Sequence, residues 1–334
     1  MPDIRNYPKR KIGASDLEVA PVGLGCMSFS GVYGASDDDA AVDLIHHALN
    51  CGVDTLDSSD MYGWGHNEEL VGRALAGCRD EVILASKFGQ VQNPDGGGNL
   101  VDGRPEYVIE ACEAGMKRLK VDVIDLYYQH RVDPKVPIEE TIGGMARLVE
   151  QGKVRAIGIC EAKPETIRRA HATHPLAALQ SEYSLLYREQ AEEALEVTRE
   201  LGITFVAYGP LGRGLLTGQY LGMNSLPEGD PHARHPRYAE ENFSHNMGLA
   251  TRVAAIAEGK GCTPAQLCIA WLLAQGDDII SIPGTKRRER LDENLGALDV
   301  TLSVDDLAQI SDVIPVGAAA GTRYPAGGMK GVHI

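Results

Sequence analysis

Four residues capable of acid–base chemistry lie at or just beyond the ends of strand-like apolar runs. Asp57 closes CGVDTLD, Tyr62 lies five residues beyond it, Lys87 closes EVILASK, and His130 closes VDVIDLYYQH. A polar group at the end of a buried strand is costly to desolvate unless it faces a site. A carboxylate, a phenol, an amine and an imidazole brought together would form a system that gives a proton to a substrate.

The roles of these four residues follow from their chemistry. A tyrosine of ordinary pKa, about 10, is a weak proton donor near neutral pH. A neighbouring ammonium stabilises the phenolate, so we expect Lys87 to lower the pKa of Tyr62 toward its working range. Asp57 would keep Lys87 charged and oriented, and His130 would hydrogen-bond the substrate oxygen. Singly, a strand-end aspartate is often a helix cap and a tyrosine usually packs in the core, but their joint occurrence favours catalysis.

The elements that position these residues alternate between strand and helix. Strand-like runs lie at about 53–57, 81–86, 123–128, 154–159, 177–180, 203–207 and 279–282, and the short VGLGCM run makes an eighth. Helical patterns lie at 38–51, 67–77, 105–119, 138–151, 164–173 and 189–201. Such alternation predicts a parallel sheet with both faces covered, and in a closed barrel the carboxyl ends of all strands meet at one mouth.

The predicted fold class is therefore α/β, a (β/α)8 TIM barrel. Because no linker or composition break divides the chain, we expect a single domain over 1–334. An N-terminal arm and hairpin cap would occupy 1–22, and a long βα loop would follow strand 7 over 209–246. The Gly-rich tail at 315–334 is expected to drape over the surface or to fray.

Composition excludes several classes of protein. No apolar run approaches the ~20 residues of a membrane span, and the first residues lack the apolar core of a signal peptide. Seven cysteines without a CxxC pair indicate reduced thiols in a cytoplasmic protein. The net charge of −15 disfavours nucleic-acid or membrane partners. No metal is expected, because His232, His235 and His245 beside Asp230 match no usual zinc spacing. Homo-oligomer formation is left open.

The chain resembles the aldo-keto reductase superfamily from about residue 9 to residue 300. The resemblance rests on GLGCM, DSSDMYGWGHNEELVGRAL, LASKFG, DLYYQHRVD, QSEY, AYGPLGRGLLTG and IPGTKRRERLDENLGAL, which occur in matching order. The branch most similar to it holds bacterial and plant carbonyl reductases, pyridoxal-type reductases and potassium-channel β subunits. The resemblance implies an Asp-Tyr-Lys-His catalytic tetrad at Asp57, Tyr62, Lys87 and His130. It also implies a nicotinamide cofactor that gives hydride to a carbonyl carbon, with Tyr62 as general acid, or as base in reverse.

A Rossmann-type cofactor site has no support in the sequence, because no GxGxxG opens a βα unit. The segment 283–290 places basic residues at a predicted helix start, where amide donors favour a phosphate and cations oppose the dipole unless an anion is bound. The resemblance puts Thr285, Lys286 and Arg290 on a 2′-phosphate, which implies NADP. The complete set of predicted cofactor contacts is Gly25, Cys26, Met27, Asp57, Cys160, Glu161, Gln180, Tyr208, Gly209, Pro210, Leu211, Gly212, Gly214, Pro283, Gly284, Thr285, Lys286, Arg290, Glu293 and Asn294.

One position departs from the family pattern. Members commonly have serine after the fifth strand, where its hydroxyl hydrogen-bonds the carboxamide, and here Cys160 stands instead. A thiol is the weaker donor, so we expect Cys160→Ser to lower the cofactor dissociation constant, with an inert buried cysteine as the alternative. Aromatic residues near the mouth suggest an apolar substrate pocket lined by Tyr33, Trp64, Phe88 and His130.

The function predicted from these features is NADPH-dependent reduction of a small aldehyde or ketone to an alcohol. Two other functions stay open. One is a cofactor-binding, redox-sensing regulatory subunit with weak turnover, although the complete tetrad favours catalysis. The other is a Schiff-base aldolase with Lys87 as its nucleophile.

Overall fold

The structure, a computed structural model, describes residues 7–96 and 98–334. The strands are β1 (Arg10–Lys11), β2 (Glu18–Val19), β3 (Leu24–Gly25), β4 (Thr55–Asp57), β5 (Ile83–Phe88), β6 (Gln90–Val91), β7 (Leu100–Val101), β8 (Ile124–Gln129), β9 (Val154–Cys160), β10 (Ala178–Glu182), β11 (Thr204–Tyr208) and β12 (Ile279–Ser281). The helices are α1 (Asp38–Asn50), α2 (His66–Ala74), α3 (Pro105–Leu119), α4 (Ile138–Glu150), α5 (Pro164–Thr173), α6 (Glu189–Leu201), α7 (Glu240–Gly259), α8 (Pro264–Leu273), α9 (Arg288–Leu295), α10 (Val304–Val313) and α11 (Ala326–Met329).

Eight parallel strands form the barrel, in the order β3-β4-β5-β8-β9-β10-β11-β12. The ring closes where the first strand meets the last, through parallel bridges that join Val22 to Ser281 and Gly25 to Gly284. A Cβ at Gly25 would lie 2.8 Å from the carbonyl oxygen of Ile282, so glycine permits this close approach. The predicted (β/α)8 fold is confirmed.

The N-terminal hairpin closes the amino-terminal end of the barrel. Strands β1 and β2 pair antiparallel, and Ile12, Leu17 and Val19 join the cluster of apolar side chains inside the ring. The hydroxyl of Thr204 donates to the carbonyl of Lys11 at 2.8 Å, which fixes the hairpin to β11. The predicted hairpin cap is therefore confirmed, and the working end of the barrel is the opposite one.

The helices that sequence periodicity predicts are found within a few residues of their predicted bounds, and α3, α5 and α6 match them fully. Helices α7, α8 and α10 were not predicted. The first residues of α7 lie inside the loop predicted over 209–246, which therefore ends earlier than expected. Almost all residues of α8 are buried, which leaves no amphipathic stripe to recognise. The basic segment 283–290 does lead into a helix, α9, but that helix is not the last, since α10 and α11 follow. Among the described residues no helix is long and apolar enough to cross a membrane.

The C-terminal tail lies docked against the barrel and does not fray, which decides between the two expected arrangements. The backbone amide of His333 donates to the carbonyl of Glu161 at 2.7 Å, and that of Lys163 donates to Ile334 at 3.1 Å. Asn246 on α7 exchanges two hydrogen bonds of 2.9 Å with the backbone of Ala320. The amino-acid composition of the tail does not predict this docking, because the docking depends on a few polar contacts rather than on an apolar core.

Candidate active site

The predicted tetrad converges at the carboxyl ends of the strands. Lys87 on β5 donates to a carboxylate oxygen of Asp57 on β4, to the carbonyl of Ser58 at 2.9 Å, and to the hydroxyl of Tyr62 at 3.2 Å. All of these side chains are buried, and that of Lys87 is completely so. The ammonium therefore joins the acid to the phenol, as the sequence predicts.

Protonation states follow from burial and from this ion pair. Burial would lower the pKa of Lys87, but the negative charge of Asp57 raises it above its ordinary value, so Lys87 is an ammonium. Burial raises the pKa of Tyr62 to about 12, although the Lys87 ammonium acts to lower it. The expected net lowering of the Tyr62 pKa is thus wrong for this state, because desolvation outweighs the neighbouring charge. Tyr62 is a neutral phenol that accepts from Lys87, so its own proton is available to the cavity.

His130 lies at the edge of the tyrosine ring. The two ring centroids are 5.8 Å apart and the rings nearly perpendicular. One imidazole nitrogen, Nδ1, contacts the hydroxyl of Ser59 at 3.0 Å, which fixes the ring orientation. Burial lowers the pKa of His130 well below its ordinary value, with Arg131 and Lys87 acting in the same direction. A neutral imidazole therefore faces the cavity beside the phenol and can hydrogen-bond a substrate oxygen.

A cavity of about 1460 Å³ runs from the tetrad across the barrel mouth. This exceeds the ~300–1,000 Å³ of most small-molecule sites, so it has room for a dinucleotide and a substrate together. Sixteen of the twenty predicted cofactor contacts line it, namely Gly25, Met27, Asp57, Gln180, Tyr208, Gly209, Pro210, Leu211, Gly214, Pro283, Gly284, Thr285, Lys286, Arg290, Glu293 and Asn294.

The far end of the cavity has the donors that a phosphate needs. Lys286 reaches the backbone oxygens of Tyr33 at 2.8 Å and Ala35 at 3.0 Å, and Arg290 pairs with Glu293 at 2.6 Å. In the loop after β11, Gly209 and Gly214 adopt positive φ angles, which turn the backbone sharply beside the cavity. His235 also lines this region, and both its ring nitrogens lack a partner among the described residues. These groups fit an anionic cofactor.

Several predicted contacts do not line the cavity. Cys26 and Cys160 are buried, and Cys160 belongs to the apolar cluster inside the ring. Gly212 is turned toward Leu186, which a Cβ there would meet at 2.8 Å. Cys160 is a neutral thiol, because burial raises its pKa to about 12.

Two of the four residues predicted to line the substrate pocket do line the cavity. Tyr33 and His130 line the cavity, but Trp64 and Phe88 do not. Phe88 is fully buried and stacks on Tyr127 outside the ring, since neighbours along a strand point to opposite faces and Lys87 takes the inner one. Trp64, at a positive φ of 54°, turns outward and is 43% exposed.

Glu161 is a structural anchor rather than a lining residue. Its carboxylate accepts two hydrogen bonds from Arg323 of the tail, one of them at 2.8 Å, and one of 2.7 Å from the hydroxyl of Tyr208. Burial alone would raise its pKa, but the charge and hydrogen bonds of Arg323, aided by Arg131 and Tyr208, lower it to about 2. Glu161 is therefore ionised and ties the tail to Tyr208, one of the predicted cofactor contacts.

Two residues at the mouth of the barrel, Tyr324 and Arg213, were not among the site residues predicted from the sequence. Tyr324 lines the cavity, contacts the Tyr208 hydroxyl at 3.0 Å and lies 4.6 Å beneath the Arg213 guanidinium. Arg213 pairs in turn with Glu182 at 3.3 Å. An arginine and a tyrosine side by side in an otherwise Gly- and Ala-rich tail were the signal that could have been used.

The histidines considered for metal binding do not converge on one point. His232 contacts Asp230 at 2.7 Å, whereas His245 reaches the backbone of Ala318 on the tail. A different trio brings its potential ligand atoms within 4.8 Å of one another where α1 meets α9, namely His47, Cys51 and Asp292. Contacts among these three side chains already pair them.

Comparisons with known proteins agree with this architecture. The aldo/keto reductase family profile matches residues 21–315. Probable aldo-keto reductase 1 of Glycine max is 45% identical over 318 residues, which cover 94% of this chain and 91% of that protein. Aldo-keto reductase yakc of Schizosaccharomyces pombe, whose name specifies NADP(+), is 45% identical over 327 residues and 96% of each chain.

Solved structures give the same result. The glycerol dehydrogenase AKR11B4 from Gluconobacter oxydans superposes with a TM-score of 0.83 at 28% identity, over 98% of this chain and 99% of the other. The holo form of aldo-keto reductase AKR11C1 from Bacillus halodurans gives 0.78 at 28% identity, over 96% and 99%. The resemblance found in the sequence is thereby confirmed, and the chain belongs to the aldo/keto reductase family of oxidoreductases.

Proposed function

We propose that the protein catalyses the NADPH-dependent reduction of an aldehyde or ketone to an alcohol. The observation that carries this proposal is the buried bridge from Asp57 through Lys87 to the Tyr62 hydroxyl, at the wall of a cavity that His130 shares. Preference for NADP is supported by Lys286 and Arg290 at the far end of the cavity and by the NADP(+) in the name of the fission-yeast relative.

The chain's own residues bind, orient and protonate the substrate. The bound nicotinamide supplies the hydride, and the protein supplies position and electrostatics. His130 and Tyr62 would hold the carbonyl oxygen. As negative charge develops on that oxygen, Tyr62 gives up its proton, and the Lys87 ammonium stabilises the phenolate that remains. Asp57 keeps Lys87 charged and in place, assisted by Gln180, which donates to Asp57 at 2.8 Å.

The aldolase alternative is disfavoured by the state of Lys87. A Schiff base requires a neutral amine, whereas this one is held as an ammonium with its hydrogen bonds directed to Asp57, Ser58 and Tyr62. The regulatory alternative predicts weak or no turnover of carbonyl substrates, so a turnover assay distinguishes it from the reductase.

The test is oxidation of NADPH, followed by absorbance, with a panel of aldehydes and ketones. Tyr62→Phe should lower kcat by about 10²- to 10⁴-fold, the usual contribution of a general acid, while the dissociation constant of NADPH changes little. Tyr107→Phe on the outer helix α3 is the matched control and should keep full activity. Full reductase activity in Tyr62→Phe would refute the assigned proton donor. Absence of turnover with every carbonyl would favour the regulatory function.

A further inference from the structure

In the described chain, Arg131 is a half-buried cation without a carboxylate partner, at a mouth where three other arginines each have one. Three nearby pairs join Arg213 to Glu182 at 3.3 Å, Arg237 to Glu182 at 3.0 Å, and Arg323 to Glu161 at 2.8 Å. Arg131 has no carboxylate within ion-pair distance in the described chain, and its hydrogen bond goes to the carbonyl of its own neighbour, His130, at 2.7 Å. A half-buried guanidinium left unpaired carries a desolvation cost that no opposite charge offsets.

Nearby Glu161 does not satisfy this cation. Its two carboxylate oxygens already accept from Arg323, from the hydroxyl of Tyr208 and from the backbone amide of Glu182 at 3.0 Å. Asp133, two residues beyond Arg131, accepts instead from the backbone amides of Gly103 and Lys135. The guanidinium thus keeps donors for a ligand.

The position of Arg131 points to the substrate rather than to the cofactor phosphates. It lies two residues beyond the end of β8, lines the same cavity as Tyr62, and comes next to His130 in the chain. In the ring order, β8 lies opposite β12, the strand that precedes the proposed phosphate site at 283–290. Gly331 of the tail forms the adjoining wall, since a Cβ there would lie 3.6 Å from the Arg131 side chain.

The charged residues that line the cavity favour a negatively charged ligand. Among the described residues that line it outside the proposed cofactor segment 283–294, six are lysine or arginine and three are aspartate or glutamate, although the chain carries a net charge of −15. A local positive potential of this kind concentrates anions.

We propose that Arg131 binds an anionic group of the substrate, so that the preferred substrates are aldehydes and ketones carrying a carboxylate or a phosphate a few bonds from the carbonyl. This inference rests on the proposed reductase function. A guanidinium binds either anion through paired N–H donors. Because Arg131 is adjacent in sequence to His130, the anionic group and the reacting oxygen would be bound side by side.

The experiment compares each anionic aldehyde with a neutral analogue of the same carbon skeleton around the reacting carbonyl. For the carboxylate, 4-carboxybenzaldehyde is compared with methyl 4-formylbenzoate. For the phosphate, glyceraldehyde 3-phosphate is compared with glyceraldehyde. Wild-type kcat/KM should favour the anion of at least one pair by ~10-fold or more, which corresponds to about 1.4 kcal/mol. Arg131→Met should abolish that preference and leave the neutral substrate and NADPH binding nearly unchanged, whereas Arg131→Lys should keep part of it.

The matched control is Arg104→Met, which removes an exposed cation that lines the same cavity but pairs with Asp102 at 2.6 Å. It should keep the preference. The inference is overturned if wild type shows no preference in either pair, if the preference survives Arg131→Met, or if that variant slows charged and neutral substrates equally. Should Arg131→Met fail to fold, the ratio of kcat/KM for anionic over neutral substrate, measured in wild type and in Arg131→Lys, tests the inference instead. Failure of every aldehyde to oxidise NADPH would instead contradict the reductase function itself.

Discussion

Replacing Arg323 by methionine should release the C-terminal tail and weaken cofactor binding together. Arg323 and Glu161 are each 1% exposed and are joined by two hydrogen bonds. Without the guanidinium, the carboxylate would be a buried charge facing Tyr208 with no ionic partner. Because Glu161 holds the Tyr208 hydroxyl, the loss should loosen a side chain that we predict to contact the cofactor.

The magnitude follows from the burial of this pair. Removing one partner of a buried ion pair costs about 3–5 kcal/mol, out of the ~5–15 kcal/mol that stabilises a typical domain. Undocking of the tail would let water reach Glu161, so part of the cost should appear as local rather than global opening. The double variant Arg323→Met/Glu161→Gln removes the stranded charge, and we expect it to be more stable than Arg323→Met alone.

The effect of pH has a definite sign. The pKa of Glu161 is lowered from 4.5 to about 2. Its contribution to the free energy of unfolding is therefore complete above about pH 4.5 and is lost as the pH falls through about 2. At 1.36 kcal/mol for each pH unit, the contribution is about 3 kcal/mol. Arg323→Met should lose most of this acid sensitivity.

Urea unfolding, hydrogen exchange of residues 315–334, and NADPH titration measure these effects. Arg168→Met is the matched control, because it breaks an Arg–Glu pair with Glu200 that is about half exposed, and such pairs contribute about 0–1 kcal/mol. Unchanged tail protection and unchanged NADPH affinity in Arg323→Met would refute the reasoning.

Three further predictions concern the cofactor and the proton donor. Lys286→Met should raise the dissociation constant of NADPH by about 10- to 100-fold, the effect of one charged hydrogen bond, and leave that of NADH unchanged; equal losses for both would contradict the 2′-phosphate assignment. Because the pKa of Tyr62 is raised to about 12, its phenol stays protonated up to alkaline pH, so carbonyl reduction should be flat from pH 6 to 9 whereas alcohol oxidation rises; a parallel fall in both would refute this. Because Cys160 is buried and does not line the cavity, Cys160→Ser should leave the NADPH dissociation constant unchanged in a fluorescence titration, contrary to the expectation from the sequence; a lower constant would contradict this placement.

The sequence predicts the tetrad because barrel geometry converts strand ends into one shared site. Asp57, Lys87 and His130 each close an apolar run, so their meeting requires only the βα order. The outward direction of Phe88 was also within reach, since it follows Lys87 on the same strand. The raised pKa of Tyr62 was not, because the sequence names the neighbouring charge but not the depth of burial that opposes it.

The contacts of the tail could not be predicted from local pattern. Arg323 and Glu161 are 162 residues apart in the chain, and neither belongs to a periodic element that would fix its direction. Arg131 was not singled out from the sequence for a related reason. A basic residue after a strand is common, and only the structure shows that this one has no carboxylate partner among the described residues.

The two termini of the described chain lie at opposite ends of the barrel, and this affects how the protein should be produced. The hairpin of β1 and β2 closes the amino-terminal end, whereas Ile334 lines the cavity at the other. A purification tag fused after Ile334 would emerge at the substrate entrance. A tag placed before the hairpin would be kept apart from it by the full length of the strands, and kinetics should be measured on that fusion.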